Sequence, residues 1–305
     1  ILSNVGAGTY SCFITDFNNC STSISVTIEQ PTLLTSSIVN IDSTLCFGSN
    51  DGTAEVLGNG GIAPYLYLWA HNGQTSALVS GLSSGLYSCE ITDANGCSTN
   101  INVQVDQPDE LTITLTETNV TCFGDDDGEI IADVQGGITT SPYSYFWSSD
   151  IGVTPSGDDF IDGLAPGTYT LDVLDANGCP ATNQVEITEP TLLTSNIVNI
   201  DSTLCFGSND GGAEVVSTGG TQPYSYNWSN NQTGSILSNV GAGTYSCFIT
   251  DFNNCSTNIS VTIEEPTELF SSTLSVDSTL CFGSTDGGAE VVATGGTQPY
   301  SYNWS

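Results

Sequence analysis

Apolar and polar residues alternate along most of this chain in short runs, and the runs end at Gly, Pro, Asn or Asp. Residues 168–175 (TYTLDVLD) and 258–265 (NISVTIEE) alternate with period two, which predicts strands buried on one face; no stretch sustains a helical period. In the Asp-Ala-Asn-Gly runs at 93–96 and 175–178, the Asp can accept bonds from backbone amides while Asn and Gly tolerate positive φ, so tight hairpins are expected. A further strand puts Tyr224, Tyr226 and Trp228 on one face and Ser225 and Asn227 on the other. A small sandwich needs such large side chains in its core, so the aromatics read as core rather than as a sugar-stacking platform. The outward positions of the equivalent strands carry Leu66, Leu68 and Phe146, which are candidates for a lateral contact surface.

These runs recur in a fixed order. Cys-Phe-Gly appears at Cys46, Cys122, Cys205 and Cys281, each time followed by an Asp-Gly turn, an apolar strand, a Gly-Gly turn and a Pro-Tyr-x-Tyr-x-Trp strand. A Gly-(Thr/Leu)-Tyr strand, an Asp-x-Asn-(Gly/Asn)-Cys hairpin and a last strand ending at Pro31, Pro108, Pro190 or Pro266 complete the unit. About seven short strands per unit, with turns every 8 to 12 residues or so, is the pattern of an immunoglobulin-like β-sandwich. The expected fold is therefore all-β, a tandem array of immunoglobulin-like β-sandwich domains of about 76–83 residues. The divisions fall at 32–108, 109–190 and 191–266, with 1–31 as the back part and 267–305 as the front part of further repeats, and a loop expansion at 148–160. Thr297–Ser305 repeats Thr221–Ser229, and Ile1 matches Ile236, so the chain reads as a window on a continuing repeat.

Charge narrows the partners. The 305 residues include 34 acidic ones and no Lys or Arg, a formal charge of −34. Side-chain salt bridges are then confined to whatever a protonated His71 makes, and a chain without bases is no partner for nucleic acid or for an anionic membrane. No apolar run approaches the roughly 18 residues of a membrane span, so membrane insertion of this segment is not expected. Only 11% of residues are charged, so the acidity reflects missing bases more than a dense acidic coat. A chain with no site for trypsin-like proteases and no Met to oxidise suits a long-lived extracellular polymer.

The ordered motifs Cys-Phe-Gly, Asp-Gly, Gly-Gly-Thr-x-Pro-Tyr-x-Tyr-x-Trp-Ser, Gly-Thr-Tyr, Asp-Ala-Asn-Gly-Cys and Glu-Pro resemble the SprB repeat of very large Bacteroidetes surface adhesins. The resemblance covers essentially the whole chain. It implies a secreted cell-surface protein, exported by the type IX route and associated with adhesion and gliding. Cys12, Cys89 and Cys247 depart from the pattern of that repeat.

The eleven cysteines form three positional classes. Cys46, Cys122, Cys205 and Cys281 precede the Asp-Gly turn; Cys12, Cys89 and Cys247 lie in the Gly-x-Tyr-x-Cys strand; Cys20, Cys97, Cys179 and Cys255 follow the hairpin. The middle class is replaced by Leu171 in one copy while Cys122 and Cys179 stay, so it reads as a small buried hydrophobe. Three pairings stay open. The first class can pair with the third class of the next domain, as Cys46–Cys179 and Cys122–Cys255; with the third class of its own domain, as Cys46–Cys97; or with the middle class. In an immunoglobulin-like topology the same-domain pair would sit at opposite ends, against the Cα separation of about 7 Å or less that a disulfide requires.

Other chemistry is thinner. No cofactor is required, but the oxygen-rich turns containing Asp51, Asp125, Asp126, Asp127, Asp210 and Asp286 are candidate Ca²⁺ ligands, set against plain exposed β-turns. Zinc has no Cys-x-x-Cys spacing to use, and His71 reads as a solvated loop residue. Asp-Ser-Thr recurs at 42, 201 and 277 and resembles a Bacteroidetes O-glycosylation motif, with Ser43, Ser202 and Ser278 as acceptors. The carboxylates repeat from copy to copy without one differentiated site, so no enzyme is expected. The reading is a structural stalk or filament segment of an extracellular repetitive surface adhesin, whose partners are neighbouring repeats. Its alternatives are a carbohydrate-binding array gripping surface polysaccharide and a self-assembling filament subunit.

Overall fold

Among the described residues each strand pairs with a neighbour close in sequence, as period-two runs separated by short turns require. The computed structural model describes residues 1–152 and 159–305. The centre of the expansion expected at 148–160 therefore lies outside the described residues.

The chain opens with the hairpin β1 (Gly8–Thr15) and β2 (Ser21–Ile28). Six strands follow: β3 (Thr35–Asp42), β4 (Gly52–Asn59), β5 (Leu66–Trp69), β6 (Leu78–Leu82), β7 (Gly85–Thr92) and β8 (Ser98–Val105). They form two sheets, β3-β4-β6 and β5-β7-β8. The next copy has β9 (Thr112–Thr118), β10 (Gly128–Gln135), β11 (Ser144–Ser149), β12 (Phe160–Leu164), β13 (Gly167–Leu174) and β14 (Pro180–Ile187), in sheets β12-β10-β9 and β11-β13-β14. Then come β15 (Thr194–Asp201), β16 (Gly211–Thr218), β17 (Ser225–Trp228), β18 (Ile236–Val240), β19 (Gly243–Thr250) and β20 (Ser256–Ile263), in sheets β15-β16-β18 and β17-β19-β20. A two-stranded sheet of β21 (Phe270–Asp277) and β22 (Gly288–Thr294) closes the order.

The strand order is that of an immunoglobulin-like sandwich with its fourth strand missing, so β3–β8 has six strands where the pattern predicts about seven. The residues that would form the extra strand, 71–77, turn back on β5 instead. Gly73 N–H donates to the Trp69 carbonyl and Trp69 N–H to the Gln74 carbonyl, each at 2.9 Å.

Contacts divide the chain into two compact units. One comprises Ile1–Thr114, Asp133–Phe146 and Leu171–Asn183; the other comprises Leu115–Ala132, Trp147–Thr170 and Gln184–Ser305. In the first, Ala54, Val56, Trp69, Cys89, Ile91 and Val103 belong to the core of β3–β8. In the second, Ala213, Val215, Trp228, Cys247, Ile249 and Val261 do the same for β15–β20. Trp69, Trp147 and Trp228 are buried, each on the third strand of its copy, β5, β11 or β17. The tyrosines of the Gly-x-Tyr strands make the corner typical of immunoglobulin folds. Tyr87 Oη–H donates to Ser83 O at 2.9 Å, Tyr169 to Ala165 O at 2.8 Å and Tyr245 to Gly241 O at 3.1 Å.

Two residues after each corner stands Cys89, Leu171 or Cys247, all fully buried. An antibody domain would bond this cysteine to one on the strand equivalent to β4, but β4 offers Ala54 and Val56 there. The thiols of Cys89 and Cys247 remain free, and burial raises both pKa values.

The cores should fail one copy at a time. Trp228→Ala removes the largest side chain of the β15–β20 core, at a cost of about 3–5 kcal/mol. Hydrogen exchange is expected to accelerate in β19 and β20 and to stay unchanged in β7 and β8.

Candidate functional site

The repeated Cys-Phe-Gly turn is built from its own polar residues. Gly48 takes φ of 71°, and Ser49 N–H donates to Cys46 O at 3.2 Å. Asp51 Oδ1 accepts from Ser49 Oγ at 2.6 Å and from Leu45 N–H at 3.1 Å; these two bonds hold its carboxyl below the usual range. Asp127 is lowered by the hydroxyl and amide of Thr121, Asp210 by Ser208 and Leu204, and Asp286 chiefly by the Ser284 hydroxyl. The turn is then tied to the end of the last strand. Thr44 N–H donates to Asp106 O at 3.0 Å and Gly48 N–H to Gln107 Oε1 at 3.0 Å. Glu189 takes the Gly124 amide at 2.7 Å and Glu265 the Gly207 amide at 2.8 Å.

At the opposite end of the sandwich the hairpin is organised by a buried carboxylate. Asp175 Oδ1 accepts from Asn177 N–H and Cys179 N–H, both at 2.9 Å, and Oδ2 from Ile138 N–H at 2.8 Å. Asp93 does the same with Asn95, Cys97 and Ile62, and Asp251 with Asn253, Cys255 and Thr221. Burial pushes the Asp175 carboxyl up, and the amides of Ile138, Cys179 and Asn177 outweigh it, leaving the pKa lowered. Asp93 is lowered first by the Cys97 amide. The second glycine of the Gly-Gly turn makes room: a Cβ on Gly137, at φ of 62°, would sit 2.8 Å from Asp175 Oδ2.

Turn and hairpin meet between successive copies. Cys46, in the turn after β3, is bonded to Cys179, at the start of β14, with a Cα separation of 5.6 Å. Cys122 is bonded to Cys255 at the same separation. Each disulfide lies within one of the two units. Beside it, the hairpin Asn reaches across: Asn177 Nδ2 donates to Leu45 O at 2.9 Å and Asn253 Nδ2 to Thr121 O at 3.2 Å. This clasp, a disulfide flanked by one amide–carbonyl bond, recurs with the same parts in both units.

Sequence reasoning missed two of these parts. Gln107, Glu189 and Glu265 cap the turn, and the available signal was the Gln or Glu that recurs before each closing Pro. The hairpin Asn was read only as a turn former, although Asn177 and Asn253 also make the cross-copy bond.

Cys20, Cys97, Cys205 and Cys281 are exposed and unbonded. Ser43, Ser202 and Ser278 are exposed at strand ends, next to Thr44 and Thr203, which are buried. Leu66, Leu68 and Phe146 are exposed. His71 is exposed and packs edge-on to Tyr87, with ring centroids 4.8 Å apart. Asp51, Asp127, Asp210 and Asp286 accept bonds from their own turns, whereas Asp125 and Asp126 face solvent. Among the described residues no group of three or more His, Cys, Asp or Glu is arranged to hold a metal ion.

Strand order, buried strand tryptophan and tyrosine corner define the class: a tandem chain of immunoglobulin-like β-sandwiches. More particularly, the chain carries the SprB repeat, whose model matches residues 38–75, 114–150, 195–233 and 273–305. No curated protein matches the chain. Solved structures with some similarity include the insect immune protein hemolin, at 13% identity and TM-score 0.28, covering 85% of this chain and 82% of that one. A Dscam isoform structure matches at 13% identity and TM-score 0.24, covering 85% and 80%. The SprB repeats and the disulfides together mark a repetitive extracellular surface segment of adhesin type. No helix among the described residues is long and apolar enough to cross a membrane.

Asp175→Asn leaves the Ile138 amide without its acceptor, a loss of about 1–3 kcal/mol, read as faster exchange of the β13–β14 hairpin amides. Because the folded pKa values of Asp93 and Asp175 are depressed, their contribution is complete above the unfolded value of about 3.9 and is lost as pH falls through the folded value. Melting temperature is therefore expected to be flat from about pH 7 to 5 and to drop below about pH 4. Since the turn aspartates are engaged by their own turns, the same melt is expected to be unchanged by EDTA.

Proposed function

We propose that this chain is a structural stalk segment of an extracellular bacterial surface adhesin, projecting and stiffening a protein used in adhesion or gliding and exported by a type IX-like route. The observation that carries this reading is the clasp. Adjacent domains joined only by a short linker move relative to each other by default. Here each copy is also tied to the next by a disulfide that closes a loop 133 residues long in sequence separation. In the chain-entropy view a cross-link over so long a loop is worth about 4–5 kcal/mol, and a tie between neighbours restrains the joint as well. Repeats held mainly to their neighbours give a length that scales with copy number.

The acidic residues favour a scaffold over a catalyst, because those in the turns and hairpins accept backbone bonds and recur identically from copy to copy. Burial of Trp69, Trp147 and Trp228 likewise favours the scaffold over a carbohydrate-binding array, which needs such rings exposed. Neighbouring repeats are the partners of this reading. Leu66, Leu68 and Phe146 supply its lateral contact surface, and Ser43, Ser202 and Ser278 its sugar acceptors.

Single-molecule stretching tests the proposal. With both clasps closed, the shortest covalent path from Cys46 to Cys255 crosses both disulfides and only the residues between Cys122 and Cys179. Reduction releases the remaining residues between Cys46 and Cys255, roughly 50 nm at about 3.4 Å per residue. Oxidised chains should therefore be shorter by that length than chains in dithiothreitol or the Cys46→Ser/Cys122→Ser variant. Equal lengths would sink the stalk reading.

A further inference from the structure

Tension on a tandem protein follows the shortest covalent path between the points that are pulled, and the clasps change that path. In a plain string of sandwiches the load enters each copy at the start of its first strand and leaves at the end of its last. In β3–β8 these strands are β3 and β8, which pack against each other. The end of β3 is tied to the end of β8 through Thr44 N–H and Asp106 O, so the loaded ends lie at opposite ends of the pair. Pulling them apart slides one strand past the other and opens the sandwich, releasing every residue between them.

The first clasp gives the load a different exit. β3 ends at Asp42, a short turn before Cys46, and Cys46 is bonded to Cys179 of the next copy. β14 starts at Pro180, directly after Cys179, and leads through a short linker to β15. One covalent line therefore runs along β3, across Cys46–Cys179, along β14 and into β15, and it leaves out residues 47–178. The second clasp makes a matching line from β8 through the linker to β9, across Cys122–Cys255 and along β20, which leaves out residues 123–254.

Most of each line is β-strand, whose rise of about 3.3 Å per residue is close to the limit of a stretched chain. Neither line has much slack to give. Along a line the two ends of a strand are pulled directly apart, so no bond between strands is sheared. The strands β4 to β7, β10 to β13 and β16 to β19, which carry the buried tryptophans and the tyrosine corners, lie off both lines.

The three sandwiches can then stand in for one another. With β15–β20 folded, the first line carries the load from β3 into that copy. With β3–β8 folded, the second line carries it from that copy to β20. With β9–β14 folded, Cys179 and Cys122 belong to the same sandwich, which passes the load from one clasp to the other.

We propose that the chain is a redundant tension-bearing cable: any one of its three sandwiches, while folded, holds the whole load, and the other two can open without lengthening the chain. A copy that opens is off the loaded line, so it refolds without working against the pull. The proposal rests on the stalk reading and adds to stiffness at the joints a resistance to extension under force.

The test is single-molecule stretching at steadily rising force on the unaltered chain, held through handles fused to its two ends, with its free thiols alkylated. In dithiothreitol the three sandwiches should open in three separate steps, each releasing roughly 25 nm at about 3.4 Å per residue. In the oxidised chain the first two openings should release no length, and one step of roughly 20 nm, set by the residues between Cys122 and Cys179, should replace the three. Trp147→Ala weakens β9–β14, so one step should move to lower force in dithiothreitol while the oxidised chain keeps its single step. Where that variant does not fold, the step count of the unaltered chain decides, and Cys46→Ser/Cys122→Ser should give three steps without reductant. Two or three steps in the oxidised chain, with its final length still short, would overturn the cable and leave the stalk reading standing; equal final lengths would overturn both.

Discussion

An ionised carboxylate taken out of water must be paired or hydrogen-bonded, and this chain has no lysine or arginine with which to pair it. Backbone N–H groups do the work instead. Asp93, Asp175 and Asp251, all buried, each accept three amides, and those amides come from two separated stretches of chain. One side chain thereby shapes its own hairpin and fastens it to the Gly-Gly turn. Asp51, Asp127 and Asp210 organise the Cys-Phe-Gly turn in the same way, and Gln107, Glu189 and Glu265 tie that turn to the closing strand. Both ends of the sandwich therefore depend on carboxylate or amide oxygen meeting backbone amide. These bonds are local and short-ranged, so salt should screen them far less than exposed ion pairs.

With its ends fixed, the fold can place its covalent bonds outside the core. Cys89 and Cys247 occupy the position of a core disulfide partner in antibody domains, but the facing strand supplies only small aliphatic side chains, and packing alone closes the core. Leu171 does the same work in the third case, which shows that the position asks for volume rather than for sulfur. The bonded cysteines sit where the chain turns, each beside a carboxylate cage that holds its backbone. Cys179 N–H and Cys255 N–H are themselves bound to Asp175 and Asp251. The cage fixes the direction from which the sulfur leaves the hairpin, so the same 5.6 Å Cα separation appears twice.

Much of this was legible in the sequence. Period-two alternation gave the strands, Asp-x-Asn-Gly the hairpins, and the exchange of Cys89 for Leu171 identified a core position without any structure. The strand count was overestimated because residues 71–77 have turn formers that bond back onto Trp69, a local outcome that alternation does not register. Disulfide register could not be chosen from spacing, since all three pairings satisfied the same sequence. It follows from two distances that only folding sets: the length of β8 between turn and hairpin, and the shortness of the linker that brings the next hairpin back to Cys46. The cap made by Gln107 stayed hidden for a related reason, because its partner Gly48 lies 59 residues away.

Because turn and hairpin lie at opposite ends of each sandwich, one copy can give its turn to the copy that follows and its hairpin to the copy before. The two surfaces differ, so the interface is heterologous, and a heterologous interface has no internal two-fold that would stop it at a pair. It closes only if the rotation per step brings the chain back on itself; otherwise it continues. Both clasps use equivalent atoms although the intervening copies differ in loop length, with the expansion at 148–160 present in only one of them. In sequence the expansion falls around the end of β11 and the start of β12, outside the turn and hairpin that form the clasp. Loops can therefore vary without disturbing the joint, which lets a repeat diversify its surface while its connection to the next repeat stays the same.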